Sequence, residues 1–282
     1  MGMLIFFATI IVAFFASSIG AESRAEEQLR FSGQTMGPIF YSVVVADTEV
    51  ADPEGLGKEI SDRLQRVNKL MSTYIETSDV SRFNAAVDGE WVEVDPLTLS
   101  VVKKSLEISA ASDGAFDITV GPAVNLWQFG PNKDESKPIP SRDEIEAVQK
   151  LVGYNLIEHK DSPASLRKKI AGVKIDLSAI AKGFAVDEVA AGLDSHSVHN
   201  YMIEVGGEVF AKGNGPSGKW RIGIERLMNV FVRLTKSPTL TGAGWQHLAT
   251  IESFARSTAS GIRTRSTREP VVRLCCRQQL LR

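Results

Sequence analysis

Cysteine is almost missing from this chain: its 282 residues hold two, adjacent at Cys275 and Cys276. That excludes a disulfide framework and a Cys-x-x-Cys metal knuckle, and the lack of any cysteine in residues 1–30 excludes a lipoprotein acylation site. Histidine is scarce too. His159, His196, His199 and His247 show no metal-ligand spacing with acidic residues, so none is assigned a role. No Gly-x-Gly-x-x-Gly follows a strand and opens a helix, which removes support for a Rossmann-type dinucleotide site; Gly206-Gly207 and Gly213-Asn214-Gly215 read as hairpin turns. A Gly-x-Ser-x-Gly elbow is absent, leaving a serine hydrolase without a nucleophile motif. There is no internal repeat and no low-complexity linker.

Charge is absent from residues 1–21, which include an apolar run over 4–15 and then the small residues Ala16, Ser17, Ser18, Gly20 and Ala21. This pattern predicts a cleaved export signal, although the usual positive n-region is missing. The alternative is an uncleaved membrane anchor, since about 20 residues just span a bilayer. Either way the expected location is the periplasm or the outer face of the bacterial inner membrane. The remainder has an ordinary globular composition, 43% hydrophobic overall, enough for one large domain or two small ones.

Acidic residues nearly vanish after Arg226. Residues 227–282 hold nine Lys or Arg against Glu252 and Glu269, a net +7 on a remainder of −9. A basic tail ordinarily points to nucleic acid or an anionic surface, but a change of reading frame explains it better. Joining the third base of each codon to the first two of the next, residues 226–230 permit Pro-Asp-Glu-Arg. Residues 245–252 permit Ala-Thr-Ser-Gly-Asp-Tyr-Arg, and residues 261–273 permit His-Pro-His-Thr-Val-Asp-Pro-Arg-Thr-Gly-Arg-Pro. The expected organisation is therefore a leader at 1–21, an incomplete domain at 30–226 and an out-of-frame tail at 227–282, with no nucleic-acid partner.

Residues 38–45, rich in β-branched and aromatic side chains, predict a strand after a polar stretch over 22–30. Ile60, Leu64, Val67 and Leu70 mark a helical face. Asp95 with Pro96 caps a second helix that buries Leu99, Val102, Leu106 and Ala110 and stops at Gly114. Ser141 and Glu144 form a capping box for a third helix of about three turns, carrying Ile145, Val148 and Val152. Residues 173–177 read as an apolar strand, and Ser178 as the cap of a fourth helix running to about Leu193. Strands at 202–205, 208–211 and 220–225 complete the order. Helices and strands mix without βαβ alternation, which predicts an α+β fold.

Four clusters carry candidate chemistry. In Asp176-Leu177-Ser178-Ala179-Ile180-Ala181-Lys182-Gly183 a strand ends in a carboxylate just before a helix N-terminus, a junction suited to a phosphate and its metal. An isolated Asp-x-Ser is more often a simple helix cap. In Gly114-Ala115-Phe116-Asp117-Ile118-Thr119-Val120-Gly121-Pro122 a carboxylate between apolar residues suits a hydrogen bond to a heteroaromatic ring; alone it is more often a turn. Met71-Ser72-Thr73-Tyr74 offers a tyrosine for stacking or for the edge of a core. Thr35-Met36-Gly37-Pro38 is uninformative alone.

In order, Met36-Gly37, Met71 to Tyr74, Asp113 to Asp117 with Thr119 to Pro122, Asp176 to Gly183, Val205 to Glu208 and Trp220 to Glu225 resemble the FAD:protein FMN transferases, the ApbE-type family. The resemblance covers about residues 30–226. It implies an α+β, T-fold-related flavin transferase domain in an exported bacterial enzyme. With Mg²⁺, such enzymes move FMN from FAD to a threonine hydroxyl of a target flavoprotein subunit and release AMP. It also implies that Met36, Tyr74, Ala115, Phe116 and Asp117 lie beside the flavin nucleotide and that Asp176 is a further FAD contact. Ala179 is implied to offer its carbonyl to Mg²⁺, with Lys182 near the FAD site. Phosphoryl transfer needs neutralised pyrophosphate charge and an oriented hydroxyl, hence a metal and a nearby base.

The chain departs from that family where it needs an Ala-Thr-Ser-Gly segment, a His-x-x-Asp-Pro-x-Thr-Gly segment and a later Asp and Thr for the metal. None occurs in the displayed frame; the first two are visible in the shifted one. The expectation is an incomplete Mg²⁺ shell, uncovered core surface and an unstable or inactive product.

Overall fold

The computed structural model describes residues 28–47, 49–131, 137–223, 225–226 and 233–234. The leader over 1–21 and nearly all of the tail over 227–282, with His247 and both cysteines, lie outside the described residues. Among the described residues no helix is long and apolar enough to cross a membrane.

The main sheet has four strands in the order β1-β2-β6-β7: Leu29–Thr35, Ile39–Val45, Tyr201–Val205 and Glu208–Lys212. All its pairs are antiparallel, with Thr35 opposite Ile39, Tyr41 opposite Val205 and Val205 opposite Glu208. Period-two alternation sends Val43, Val45, Tyr201, Ile203 and Val205 into the main core. The opposite face buries Val44 and Ala211 under Trp220, whose indole N–H donates to the Lys212 carbonyl at 3.0 Å.

Two long helices cover the inner face. Helix α1, Pro53–Met71, starts where the Asp52 carboxylate accepts the Gly55 N–H, and it buries Leu56, Ile60, Leu64, Val67 and Met71. Helix α6, Ala181–Ser195, packs on α1 and β6 through Ala185, Val186, Val189 and Leu193. Burying each leucine or isoleucine contributes about 1.5–3 kcal/mol.

Between these helices the chain adds α2 (Asp79–Ala85), α3 (Pro96–Ala111), α4 (Gly121–Leu126), α5 (Arg142–Gln149) and a three-stranded sheet. That sheet has the order β3-β5-β4, formed by Val92–Glu93, Ala164–Lys168 and Ile157–Asp161. Buried Asp79 ties α2 to the start of α3, accepting the Asp95 N–H and the Thr98 hydroxyl at 2.7 Å each and Arg82 at 2.5 Å. The result is the expected α+β architecture. A short pair, β8 (Glu225–Arg226) with β9 (Arg233–Leu234), ends the described chain.

Several local expectations change. Ala110 is exposed, and α3 instead buries Thr98, Leu99, Val101, Val102, Ser105 and Ser109. The capping box at Ser141 and Glu144 forms, but α5 stops at Gln149 and leaves Val152 buried beyond it. Ser178 does not cap α6: its own N–H is taken by an Asp176 oxygen at 2.8 Å, and the helix opens two residues after Ala179. Residues 173–177 are extended and alternate as expected, with Val173, Ile175 and Leu177 buried, yet they join no ladder among the described residues. The Asn84 side chain has taken that place. Of the strand expected at 220–225, only Glu225 falls within an assigned one.

Candidate flavin nucleotide site

Two turns at one end of the main sheet and the N-terminus of α6 meet there. The β6-β7 loop is Gly206-Gly207, with φ of +55° and +92°, the two positive values a tight two-residue hairpin requires. Its geometry is also steric, since a Cβ on Gly206 would lie 2.7 Å from Ile39 Cγ2. The Gly206 N–H donates to the Phe40 carbonyl at 3.0 Å, and Lys182 Nζ donates to the Gly206 carbonyl at 3.2 Å. Lys182 also faces Glu208 at 3.4 Å, whose side chain is only 7% exposed. Met36 sits in the neighbouring β1-β2 turn, half-buried against the core, with φ of +49°. Lys182 and Met36 therefore share one end of the sheet.

A cleft of about 210 Å³ lies at the other end of residues 174–182, the segment that carries Lys182. Thr73, Ser81, Asn84, Asn125, Lys174 and Asp176 line it, with Gly121 and Pro131. Its wall is built by substitution for a missing ladder. Asn84 Nδ2 donates to the Ile175 carbonyl at 2.9 Å, and Asn84 Oδ1 accepts the Ile175 N–H at 2.7 Å. Buried Lys168 donates to the Asn84 carbonyl at 3.1 Å and lies 5.0 Å from the Phe83 ring. Burial pushes the Lys168 amine below its ordinary value, and the nearby Lys174 charge adds to that.

The Ala115, Phe116 and Asp117 segment adjoins this wall, because the Asp176 N–H donates to the Ile118 carbonyl at 2.8 Å. Ala115 is exposed and Phe116 is core. Asp117, 3% exposed, accepts the Thr119 N–H at 2.8 Å and its hydroxyl at 2.6 Å through one oxygen, and the Tyr154 N–H at 2.8 Å through the other. Both oxygens are engaged, so Asp117 shapes the wall. Tyr74 follows the cleft residue Thr73 and is 69% exposed, its N–H turned to Ser72 Oγ.

Ala179 lies between the two ends, in the exposed turn before α6. The Leu177 carbonyl accepts the N–H groups of Ile180 and Ala181, while no hydrogen bond among the described residues takes the Ala179 carbonyl. That carbonyl suits a hard cation. Among the described residues no three His, Cys, Asp or Glu side chains gather into a metal cluster. The segment 174–182 thus links Lys174 and Asp176 in the cleft, through Ala179, to Lys182 at the sheet end. Met36 lies in the turn at the Lys182 end of the sheet, and Tyr74 follows the cleft residue Thr73.

The family model described as the ApbE family matches residues 36–260. The chain belongs to the ApbE family. The match runs on past Arg226, into the region where the shadow frame was read. The FAD:protein FMN transferase of Vibrio cholerae is 42% identical over 211 residues, which cover 73% of this chain and 61% of that relative. The Haemophilus influenzae protein of the same name is 37% identical over 222 residues, covering 77% and 64%. Among solved structures, the flavin transferase ApbE from Vibrio cholerae matches with a TM-score of 0.66 at 40% identity, covering 71% of this chain and 64% of that one. The ApbE protein from Thermotoga maritima matches with a TM-score of 0.68 at 30% identity, covering 77% and 69%. The chain spans less than two thirds of the length of these two curated relatives.

Asn84 and Lys174 escaped the motif reading. Ser81 and Asn84 lie three residues apart on α2, beside the core residues Val80 and Phe83, and that polar pair was a readable signal. The alternation of Val173, Ile175 and Leu177 likewise puts Lys174 beside Asp176.

Proposed function

We propose that this site binds FAD and belongs to the reaction in which FMN is transferred from FAD to a threonine hydroxyl of a target flavoprotein, with Mg²⁺ and release of AMP. The observation that carries the reading is the 174–182 segment, which joins a polar cleft to a helix N-terminus and an available carbonyl. When bound, Mg²⁺ would neutralise pyrophosphate charge. Ala179 is the residue proposed to face it, and Asp176 and Lys182 are proposed to contact the nucleotide. Met36, Tyr74 and the 115–117 segment line its flanks in this reading.

For the chain as written we infer nucleotide binding without completed transfer, because the Ala-Thr-Ser-Gly and His-x-x-Asp-Pro-x-Thr-Gly segments stand only in the shifted frame. Export, by a cleaved signal or an N-terminal anchor, is part of the proposal and rests on the apolar run over residues 4–15. Purified full chain, given FAD, Mg²⁺ and an acceptor flavoprotein subunit, is expected to bind FAD without metal-dependent AMP release. Release of AMP with flavin fixed to the acceptor would overturn the inference about this chain. Resequencing across codons 220–230 tests the change of register independently.

A further inference from the structure

Lys174 stands out among the cleft residues because it is the one cation in the lining and no ion pair to it is found among the described residues. Half-buried on the wall, it is one of two polar side chains that the buried row Val173, Ile175 and Leu177 leaves on the cleft side, the other being Asp176. No ion pair joins the two, and no acceptor is found for the Lys174 ammonium among the described residues. By contrast, Arg82 pairs with Asp79, Lys182 with Glu208 and Lys212 with Asp194. A half-buried ammonium with no acid partner among the described residues is available to form a charge-assisted contact with an arriving anion.

Two further observations point the same way. The buried Lys168 amine lies behind Asn84 on the same wall, and after burial the Lys174 charge adds to holding it below its ordinary value. The backbone at Gly121 also packs closely on that of Lys174, since a Cβ on Gly121 would lie 2.8 Å from the Lys174 carbonyl oxygen.

We propose that Lys174 is the phosphate-recognising residue of this cleft, binding the diphosphate of a nucleotide and selecting phosphorylated ligands over bare riboflavin. This rests on the flavin nucleotide reading above and adds its charge selectivity.

The test measures dissociation constants of FAD, ADP and riboflavin for the full chain and for Lys174→Met, at low and at physiological ionic strength. Lys174→Arg serves as the charge-retaining control, and thermal unfolding as the fold control. Loss of a charge-assisted contact is expected to weaken FAD and ADP by about tenfold. Riboflavin binding and the unfolding temperature are expected to stay unchanged, Lys174→Arg to retain FAD, and the salt dependence to flatten in Lys174→Met. Unchanged FAD and ADP affinity in Lys174→Met, or an equal loss for riboflavin, overturns the proposal. ADP binding that needs Lys174, in a chain without affinity for FAD, sinks the flavin reading and leaves the phosphate site standing. Affinity for neither overturns both.

Discussion

The side-chain amide of Asn84 closes on the backbone of Ile175 from both sides, donating to its carbonyl at 2.9 Å and accepting its N–H at 2.7 Å. A single side chain thereby does for one residue what a neighbouring strand does for a ladder, and it leaves Lys174 and Asp176 facing the cleft. Asn84→Ala strips both partners from a buried residue, with an expected loss of about 2–3 kcal/mol. Urea unfolding should show a lower midpoint at unchanged slope, and FAD affinity should fall with it. An unchanged midpoint would mean that the clamp contributes nothing.

Asp117 is expected to matter through its geometry. Its two oxygens hold Thr119 and Tyr154, and an amide at this position has one acceptor where the carboxylate has two. Asp117→Asn should cost about 2–4 kcal/mol and weaken FAD binding by displacing the adjoining wall. Full stability with selectively lost FAD affinity would instead assign the carboxylate directly to the ligand.

Lys182 holds the β6-β7 turn and faces Glu208 inside the sheet end. Lys182→Met removes that cation from a carboxylate 7% exposed. The expected loss is about 2 kcal/mol, below that for a fully buried pair because Lys182 itself is partly solvated. Chemical unfolding checks the magnitude, and Lys182→Arg should recover part of it.

Glu59 links α1 to the end of α6. The hydrogen bond with His196 at 2.6 Å, followed by that from Arg63, holds its carboxyl below the ordinary value near 4.5. A depressed carboxylate contributes stability that is present above the unfolded-state value and lost as pH falls through the folded one. Glu59→Gln should therefore cost under about 1 kcal/mol at neutral pH. The gap to the parent chain should close on acidification below that ordinary value, as read by unfolding at a series of pH values. A gap that grows in acid would contradict the assignment.

The helices were legible where caps and periodicity agree, as at Asp95 with Pro96 and at Ser141 with Glu144. Strand β1 was not, because Ser32, Gly33 and Gln34 dilute its apolar pattern. It forms because the Tyr41 ring on β2 covers the empty side of Gly33, where a Cβ would lie 2.9 Å from the ring. Strands β4 and β5 were hidden by charge: Glu158 and Arg167 pair across them, and Lys168 is buried by a contact 84 residues away. The misplaced start of α6 has a local cause, an Asp176 side chain that takes the Ser178 N–H. Of the site, the 176–182 segment and the 115–117 turn could be named from motif order. Asn84 and Lys174 depend on which backbones come together.

The most direct test of the account is a titration of folded full chain with FAD, followed by quenching of flavin fluorescence, alongside Asp176→Ala and Lys174→Met. Saturable one-to-one quenching that weakens in both variants is the predicted result. A folded sample that leaves FAD fluorescence unchanged at every concentration contradicts the claim that this cleft is a flavin nucleotide site.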